Sequence, residues 1–303
     1  MRLLITGAWR ATDDMLNELR TAGHTLYFHK QEKERVRTPE IYEGVICNAL
    51  FMHNDIRLFK QLRYIQLTSA GLDRVDVEYI NAHNIELFNA RGVYSAPMAE
   101  WAILRILEIY KKSAAFRHAQ EEHIWEKRRD VLELCGKRAL IVGCGSVGQA
   151  VAKRLKAFDV FVMGADIAAV PRENIDELYT MDRLPAAFSR ADMIILTCPL
   201  TDKTRGLVSG ELLSASKERC VLVNIARGAI VEEAAVCEWA DGERYAALDV
   251  FESEPPAQGS PLWTNKNIII TPHNSFVGDG NGERLWRVIC SNLSEDAKKN
   301  EIR

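Results

Sequence analysis

The stretch that decides the fold is LIVGCGSVGQAVAKRL, from Leu140 to Leu155. It begins as an apolar run typical of a buried strand and continues with the spacing of an amphipathic helix. Three glycines separate the two parts. Gly143 permits a tight turn, Gly145 lets a backbone approach a pyrophosphate, and Gly148 lets the helix pack on the strand. This order of strand, glycines and helix predicts a dinucleotide site that begins in mid-chain.

The strand that follows the glycine-rich helix, VFVMGAD, ends in an acid at Asp166. A carboxylate at this spacing accepts hydrogen bonds from the adenosine ribose hydroxyls and repels a 2′-phosphate. The nearest arginine that could receive such a phosphate is Arg172, beyond the next few residues. The cofactor predicted is therefore NAD rather than NADP. A surface aspartate in a turn at the strand end stays open as the alternative.

Composition limits the partners and the compartment. With 303 residues, 47% apolar residues and a net charge of −3, the chain is long enough for two domains and has no basic excess. We therefore expect neither nucleic acid nor a membrane surface as partner. The first apolar run is shorter than a signal-peptide core. Seven cysteines without metal-ligand spacing predict no metal site and a reducing, cytoplasmic location.

The alternation of strands and helices predicts the fold class α/β, with two Rossmann-like or flavodoxin-like domains built on doubly wound parallel sheets. Residues 98–273 are predicted to form a cofactor domain. It is inserted into a substrate domain formed by residues 1–97 and 274–303, and a site is expected in the cleft between the domains. Ser95 to Gln120 reads as one long connecting helix.

Polar residues follow three predicted strands of the second half, where ligands bind in open α/β sheets. They are Arg227 in NIARGAIV, Asp249, Glu252 and Glu254 in ALDVFESEPP, and His273 in IIITPHNS. These motifs, with ELCGKRALIVGCGSVG, CPLTDKTRGLV and TSAGLDRVD, occur in the order found in the D-isomer-specific 2-hydroxyacid dehydrogenases. The chain resembles that NAD-dependent family over nearly its whole length. The resemblance implies a cofactor domain inserted into a substrate domain, and a substrate that is a small 2-oxo or 2-hydroxy acid.

The resemblance also implies three catalytic residues. Arg227 would hold the carboxylate and carbonyl oxygen of the 2-oxo acid with its planar fork of donors. His273 would donate a proton as hydride reaches the carbonyl carbon, and Glu254 would orient the imidazole and favour its protonated form. Other interpretations stay open: Arg227 as a structural ion pair, Glu252 in place of Glu254, and His273 as a strand end.

Further site residues are carried over from the same resemblance. The backbone N–H groups of Ser69, Ala70 and Gly71 would bind the substrate carboxylate, with a simple turn as the alternative. Bulky residues (Phe51, Met52 and Tyr94) would shape the side-chain pocket and favour an apolar substituent. Around the cofactor, the implied contacts are Ser146 and Val147 at the pyrophosphate, Cys198 and Pro199 beside the adenosine, and Ile225, Ala226 and Asp249 at the nicotinamide half.

The sequence departs from the family where Asn274, Ser275 and Phe276 follow the histidine, since small or apolar residues are commoner there. Substrate preference is therefore left open. A formate dehydrogenase is disfavoured because that branch has glutamine where this chain has Glu254. The chain ends at Arg303, so no appended regulatory domain is expected. Homodimerisation through the cofactor domain is expected, and an NAD(H)-sensing binding protein of corepressor type is the alternative function.

Overall fold

The computed structural model describes residues 1–168 and 170–301. The chain divides into two compact units, unit 1 (Met1–Tyr94 and Gly278–Arg303) and unit 2 (Ser95–Val277). Unit 2 is therefore inserted in sequence between two parts of unit 1. Each unit is built on a parallel sheet flanked by helices, which confirms the predicted fold class. The assignment of substrate and cofactor domains to these units remains a prediction.

The strands of the described residues are, in chain order, β1 (Arg2–Thr6), β2 (Thr25–His29), β3 (Gly44–Cys47), β4 (Tyr64–Leu67), β5 (Glu86–Phe88), β6 (Arg138–Val142), β7 (Phe161–Ala165), β8 (Glu177–Tyr179), β9 (Met193–Leu196), β10 (Cys220–Asn224), β11 (Arg244–Leu248) and β12 (Ile268–Ile270). The α-helices are α1 (Asp13–Thr21), α2 (Val77–Ala82), α3 (Ser95–Tyr110), α4 (Ser113–Glu121), α5 (Ser146–Lys156), α6 (Leu184–Phe188), α7 (Gly210–Ser214), α8 (Glu233–Trp239) and α9 (Asn281–Glu301).

Unit 1 has a five-stranded parallel sheet in the order β2-β1-β3-β4-β5. Successive residues of a strand point to opposite faces of the sheet, so each strand contributes side chains to two apolar cores. Leu4 and Val45 belong to the apolar cluster on one face, whereas Leu3 and Ile46 belong to the other. This burial on both faces explains the continuous apolar runs. It leaves the loops after the strands as the places for polar residues.

Unit 2 has a seven-stranded parallel sheet in the order β12-β11-β10-β9-β6-β7-β8. The chain runs outward from β6 to β8, then returns to the other side of β6 and continues from β9 to β12. The strand order therefore reverses between β6 and β9, whose backbones pair from Ala139↔Met193 to Val142↔Leu196. A doubly wound sheet binds ligands beside the carboxyl ends of its strands at such a reversal.

The predicted helix from Ser95 to Gln120 is instead two helices, because Lys112 has a left-handed backbone with φ of 53°. α3 buries an apolar stripe that includes Ala99, Ala102 and Ile106. α4 contains no fully buried residue. The single-helix prediction was wrong because an apolar pattern does not reveal one left-handed residue. Within the part of the chain that is described, no helix has the length and apolarity needed to cross a membrane.

Candidate active site

The glycine-rich loop between β6 and α5 has the geometry that its sequence predicts. Gly143 has φ of +95°, and a Cβ there would lie 2.6 Å from the Cys198 backbone. A Cβ on Gly148 would lie 2.2 Å from the Gly143 carbonyl oxygen. Gly145, by contrast, has no atom within 4 Å of its missing Cβ. Two glycines therefore allow the chain to fold tightly, and the third leaves open space.

The N-terminus of α5 is open to an anion. Gly145 precedes the helix and offers no side-chain hydrogen bond to the first-turn N–H groups, which belong to residues such as Ser146 and Val147. Such N–H groups and the helix dipole favour a phosphate. Together with the space at Gly145, this arrangement fits the pyrophosphate of a dinucleotide.

Asp166 follows β7 and faces the glycine-rich loop. Its Oδ2 accepts a hydrogen bond of 2.7 Å from the Cys144 backbone N–H. Burial, together with the charge of Asp166, raises the pKa of the Cys144 thiol to about 12, and the charge of Arg172 acts to lower it. Both an acid and an arginine therefore influence this loop. The position of Asp166 fits a ribose ligand, and the charge of Arg172 also acts on this loop.

The residues predicted beside the cofactor at the ends of β9 and β10 are mostly buried. Cys198, Ile225 and Ala226 have exposures of 7%, 1% and 7%, so each offers little surface to a ligand. Pro199 is exposed. Thr197, which the sequence reasoning missed, donates from Oγ1 to the Gly143 carbonyl oxygen over 2.6 Å and fixes the loop. The sequence does not show whether a hydroxyl after a strand bonds a neighbouring loop, as Thr197 does, or is exposed to solvent.

Arg227 is half-buried and follows β10 in an extended conformation, with φ of −147°. Its Nη1 donates to the Ala226 carbonyl oxygen over 2.7 Å. Asn224, another residue that sequence reasoning missed, donates from Nδ2 to the Arg227 carbonyl oxygen over 3.1 Å. A Cβ on Gly228 would lie 1.9 Å from the Phe251 carbonyl carbon. Gly228 therefore packs closely on the segment that follows β11, and Arg227 directly precedes it in the chain.

His273 and Glu254 are in direct contact. The distance from His273 Nδ1 to Glu254 Oε2 is 2.9 Å, and the side chains are 37% and 40% exposed. The other carboxylate oxygen accepts from the Phe251 N–H over 3.2 Å. An ionised carboxylate only accepts hydrogen bonds, so Nδ1 is the donor in this contact, which does not use Nε2. The structure thus brings Glu254, and not its rival Glu252, to the histidine.

The loop that carries His273 is fastened by Asp249, a carboxylate with no exposed surface. Oδ1 accepts from Thr271 Oγ1 over 2.5 Å and from the Asn274 N–H over 2.8 Å, and Oδ2 accepts from the Ser275 N–H over 2.8 Å. The Asp249 carbonyl oxygen accepts from the His273 N–H over 2.8 Å. The predicted contact of Asp249 with nicotinamide stays a prediction. The structure adds an anchoring role, which sequence reasoning did not find.

The unusual residues after His273 are part of this arrangement. Asn274 and Ser275 donate their backbone N–H groups to Asp249, and the Phe276 ring lies edge-on to the His273 ring with centroids 5.8 Å apart. His273 itself has φ of +50°. A non-glycine residue in this left-handed region needs support from its surroundings. The bonds to Asp249 supply that support.

In unit 1, the loop of Ser69, Ala70 and Gly71 follows β4. Its carbonyl groups are engaged: the Ser69 oxygen accepts from the Ala90 N–H over 2.9 Å, and the Ala70 oxygen accepts from Asn89 Nδ2 over 2.7 Å. Among the residues that the structure describes, the N–H groups of this loop have no acceptor. Uncommitted consecutive N–H groups suit an anion.

No group of three His, Cys, Asp or Glu side chains within residues 1–168 and 170–301 could hold a metal ion. The candidate chemistry is therefore built from what is present: an imidazole with a carboxylate partner, a half-buried guanidinium, and an open helix N-terminus after a glycine-rich turn. Each of these belongs to unit 2. They suit proton transfer, carboxylate binding and dinucleotide binding respectively.

Comparison with known proteins matches residues 103–275 to the family described as "D-isomer specific 2-hydroxyacid dehydrogenase, NAD binding domain". The D-3-phosphoglycerate dehydrogenase of Methanocaldococcus jannaschii is 35% identical over 250 residues, which are 78% of this chain and 47% of that protein. The hydroxypyruvate reductase of Thermotoga maritima is 32% identical over 284 residues, covering 92% of this chain and 90% of that protein. The chain thus spans about half the length of the phosphoglycerate dehydrogenase.

A solved structure has the same fold. The D-isomer specific 2-hydroxyacid dehydrogenase of Xanthobacter autotrophicus Py2, in complex with NADPH and MES, superposes with a TM-score of 0.79. It is 23% identical, and the match covers 98% of this chain and 95% of that chain. At this identity the likeness establishes the architecture of the two sheets.

Proposed function

Since the chain belongs to the D-isomer specific 2-hydroxyacid dehydrogenase family, a family of NAD(P)-dependent oxidoreductases, we propose that it interconverts a small 2-oxo acid and the D-2-hydroxy acid. The observation that carries the proposal is the 2.9 Å contact between His273 Nδ1 and Glu254 Oε2 on a loop fastened by buried Asp249. A histidine held in this way can supply and recover a proton near neutral pH.

In reduction, NADH held by the glycine-rich loop and the N-terminus of α5 would supply the hydride for the carbonyl carbon. His273 Nε2 gives its proton to the carbonyl oxygen, which becomes the hydroxyl oxygen, while Glu254 holds the ring at Nδ1. In oxidation the same nitrogen takes the hydroxyl proton. After reduction the imidazole is therefore neutral, as oxidation requires, and after oxidation it is protonated, as reduction requires.

Arg227 is proposed to hold the substrate carboxylate and its carbonyl oxygen. A guanidinium stays charged and offers paired donors in one plane, which fixes the direction of the carbonyl group. The half-buried position of Arg227 and the support of its carbonyl by Asn224 restrict its motion. The loop of Ser69, Ala70 and Gly71 in unit 1 is proposed to bind a carboxylate of the substrate through its N–H groups.

The proposed cofactor is NAD. Gly143, Gly145 and Gly148 with the N-terminus of α5 would hold the pyrophosphate, and Asp166 would accept from the adenosine ribose hydroxyls. The carboxylate of Asp166 supports NAD because it repels a 2′-phosphate. Arg172 acts in the opposite direction, so affinities for NADH and NADPH should be compared side by side.

The test is the loss of NADH absorbance with glyoxylate, pyruvate, hydroxypyruvate and phenylpyruvate. We expect turnover with at least one, and His273→Ala should lower kcat by about 10²–10⁴ while NADH still binds. Arg227→Ala should abolish the rate, and the exposed His118 gives the control His118→Ala. Full activity in either site variant would refute the assigned roles. NADH binding without turnover of any 2-oxo acid would favour a nucleotide-sensing binding protein.

We also propose a homodimer that acts in the cytoplasm. The support for self-association is a group of exposed apolar side chains in and after α4, with Phe116, Ile124 and Trp125 exposed by 44%, 53% and 100%. The support for the compartment is that all seven cysteines have free thiols. Light scattering should give a dimer mass for the natural chain and a monomer mass for Trp125→Glu.

A further inference from the structure

A second arginine lies at the carboxyl edge of the unit 1 sheet. β3 and β4 are neighbours, and the Thr68 N–H donates to the Cys47 carbonyl oxygen over 2.8 Å where both strands end. Asn48 therefore lies beside the start of the loop of Ser69, Ala70 and Gly71. Arg74, which follows that loop, donates from Nη1 to Asn48 Oδ1 over 2.6 Å.

This guanidinium is held in place without being neutralised. Arg74 is half-buried, and no carboxylate of the described residues lies within ion-pair distance of it. An arginine side chain has five N–H donors, and the neutral amide of Asn48 uses one. The remaining donors and the full charge are therefore available to an anion.

The neighbouring anion position is already filled by the protein. Glu32 accepts from the N–H groups of Asn48 and Ala49, each over 2.7 Å, and from Thr6 Oγ1 over 2.6 Å. Its carboxylate thus satisfies the donors that follow β3. The N–H groups of Ser69, Ala70 and Gly71, and the guanidinium of Arg74, have no carboxylate partner among the described residues.

Phe51 and Met52 were expected to form an apolar pocket for the substrate side chain, but their positions give little support to such a pocket. The Phe51 ring meets Phe59 edge-on with centroids 5.3 Å apart and packs against the apolar cluster of unit 1. Met52 is 60% exposed. The fixed polar group at the ends of β3 and β4 is the guanidinium of Arg74, which suits an acidic substituent better than an apolar one.

We propose that Arg74 determines specificity by binding a second anionic group on the substrate, so that the preferred substrates are 2-oxo acids with a distal carboxylate or phosphate. Neighbouring strands lie about 4.8 Å apart. The two acid groups of a short 2-oxo diacid have a comparable separation, so one would meet the N–H groups of Ser69, Ala70 and Gly71 and the other Arg74. This inference rests on the proposed function.

The experiment compares matched substrates that differ in the distal charge. Oxaloacetate and 2-oxoglutarate are compared with 2-oxopentanoate and 2-oxohexanoate, and phosphohydroxypyruvate with hydroxypyruvate. The natural chain should prefer the dianion of at least one pair in kcat/KM, and the preferred pair identifies carboxylate or phosphate. Arg74→Gln should lower kcat/KM for the dianion by about 10–100-fold, the loss expected for a charged hydrogen bond, and leave kcat/KM for the monoanionic partner within about 3-fold.

Two further variants separate charge from loop structure. Asn48→Asp keeps an acceptor for Arg74 but neutralises it, so the preference for the dianion should fall although the arginine remains. Arg91→Gln removes an exposed arginine of the same unit and should change nothing. A natural chain that shows no preference for dianions would overturn the proposal. So would equal losses for both substrates in Arg74→Gln, because Arg74 would then only fasten the loop.

Failure of the proposed function gives a different result. If no 2-oxo acid is turned over, that function is wrong, and binding of 2-oxoglutarate and 2-oxohexanoate is measured by calorimetry instead. Tighter binding of the diacid that disappears in Arg74→Gln would still support the assignment. Equal binding of the two would overturn it.

Discussion

Replacement of Asp249 by asparagine tests whether this buried acid fastens the histidine loop. Its carboxylate accepts from Thr271 Oγ1 and from the N–H groups of Asn274 and Ser275. Asparagine keeps one acceptor oxygen and places an NH₂ group opposite one of the donors. Because Ser275 is 3% exposed, water cannot replace the lost acceptor there.

The size of the effect follows from these contacts. One charge-assisted hydrogen bond lost to a buried donor costs about 1.5–3 kcal/mol. Asp249→Ala removes both acceptor oxygens and should cost about 3–5 kcal/mol. For a unit the size of unit 2, each kcal/mol lowers Tm by about 2–4 °C. Asp249→Asn should therefore lower Tm by roughly 3–12 °C, and a shift of about 1 Å in His273 should lower kcat by about 10²-fold.

The assays are thermal unfolding and steady-state kinetics, with Asp202→Asn on an exposed acid of the same unit as the control. Loss of a nicotinamide contact alone would raise the KM for NADH and leave Tm unchanged. An Asp249→Asn protein with the natural Tm and kcat would refute the anchoring role.

Four other variants test separate parts of the structure. Gly143→Ala should lower Tm because the new Cβ meets the Cys198 backbone. Gly145→Ala has room for its Cβ, so it should weaken NADH binding with little change in Tm. Equal Tm values for the two variants would contradict this expectation. Asp166→Ala removes the carboxylate that repels a 2′-phosphate, so it should lower the ratio of NADH affinity to NADPH affinity. An unchanged ratio would remove the support for NAD. The Arg2 backbone N–H donates to Glu43 and lowers the pKa of that carboxyl group, so its stabilisation is present above the ordinary pKa and is lost as pH falls through the lowered one. Glu43→Gln should therefore lower the urea midpoint at pH 7, the difference should fade on acidification, and a constant difference would disprove the linkage.

The sequence by itself determined the architecture and the glycine-rich turn after β6, and it predicted a dinucleotide site there. Strand and helix periods are local properties, and glycines at fixed spacing have few other uses after a strand, so Gly143, Gly145, Gly148 and Asp166 could be placed without coordinates. Resemblance supplied Arg227 and His273, but left two acids as candidates for the partner of the histidine.

Only the tertiary structure decided which distant groups meet. Glu254 reaches His273, Asp249 fastens the loop beyond β12, and Arg74 bonds to Asn48, each across many residues of sequence. Hydrogen bonds of this kind depend on the positions where different strands end, and no periodic pattern records them. The break at Lys112 escaped prediction for a related reason, because one left-handed residue changes the path of the backbone without changing the apolar pattern.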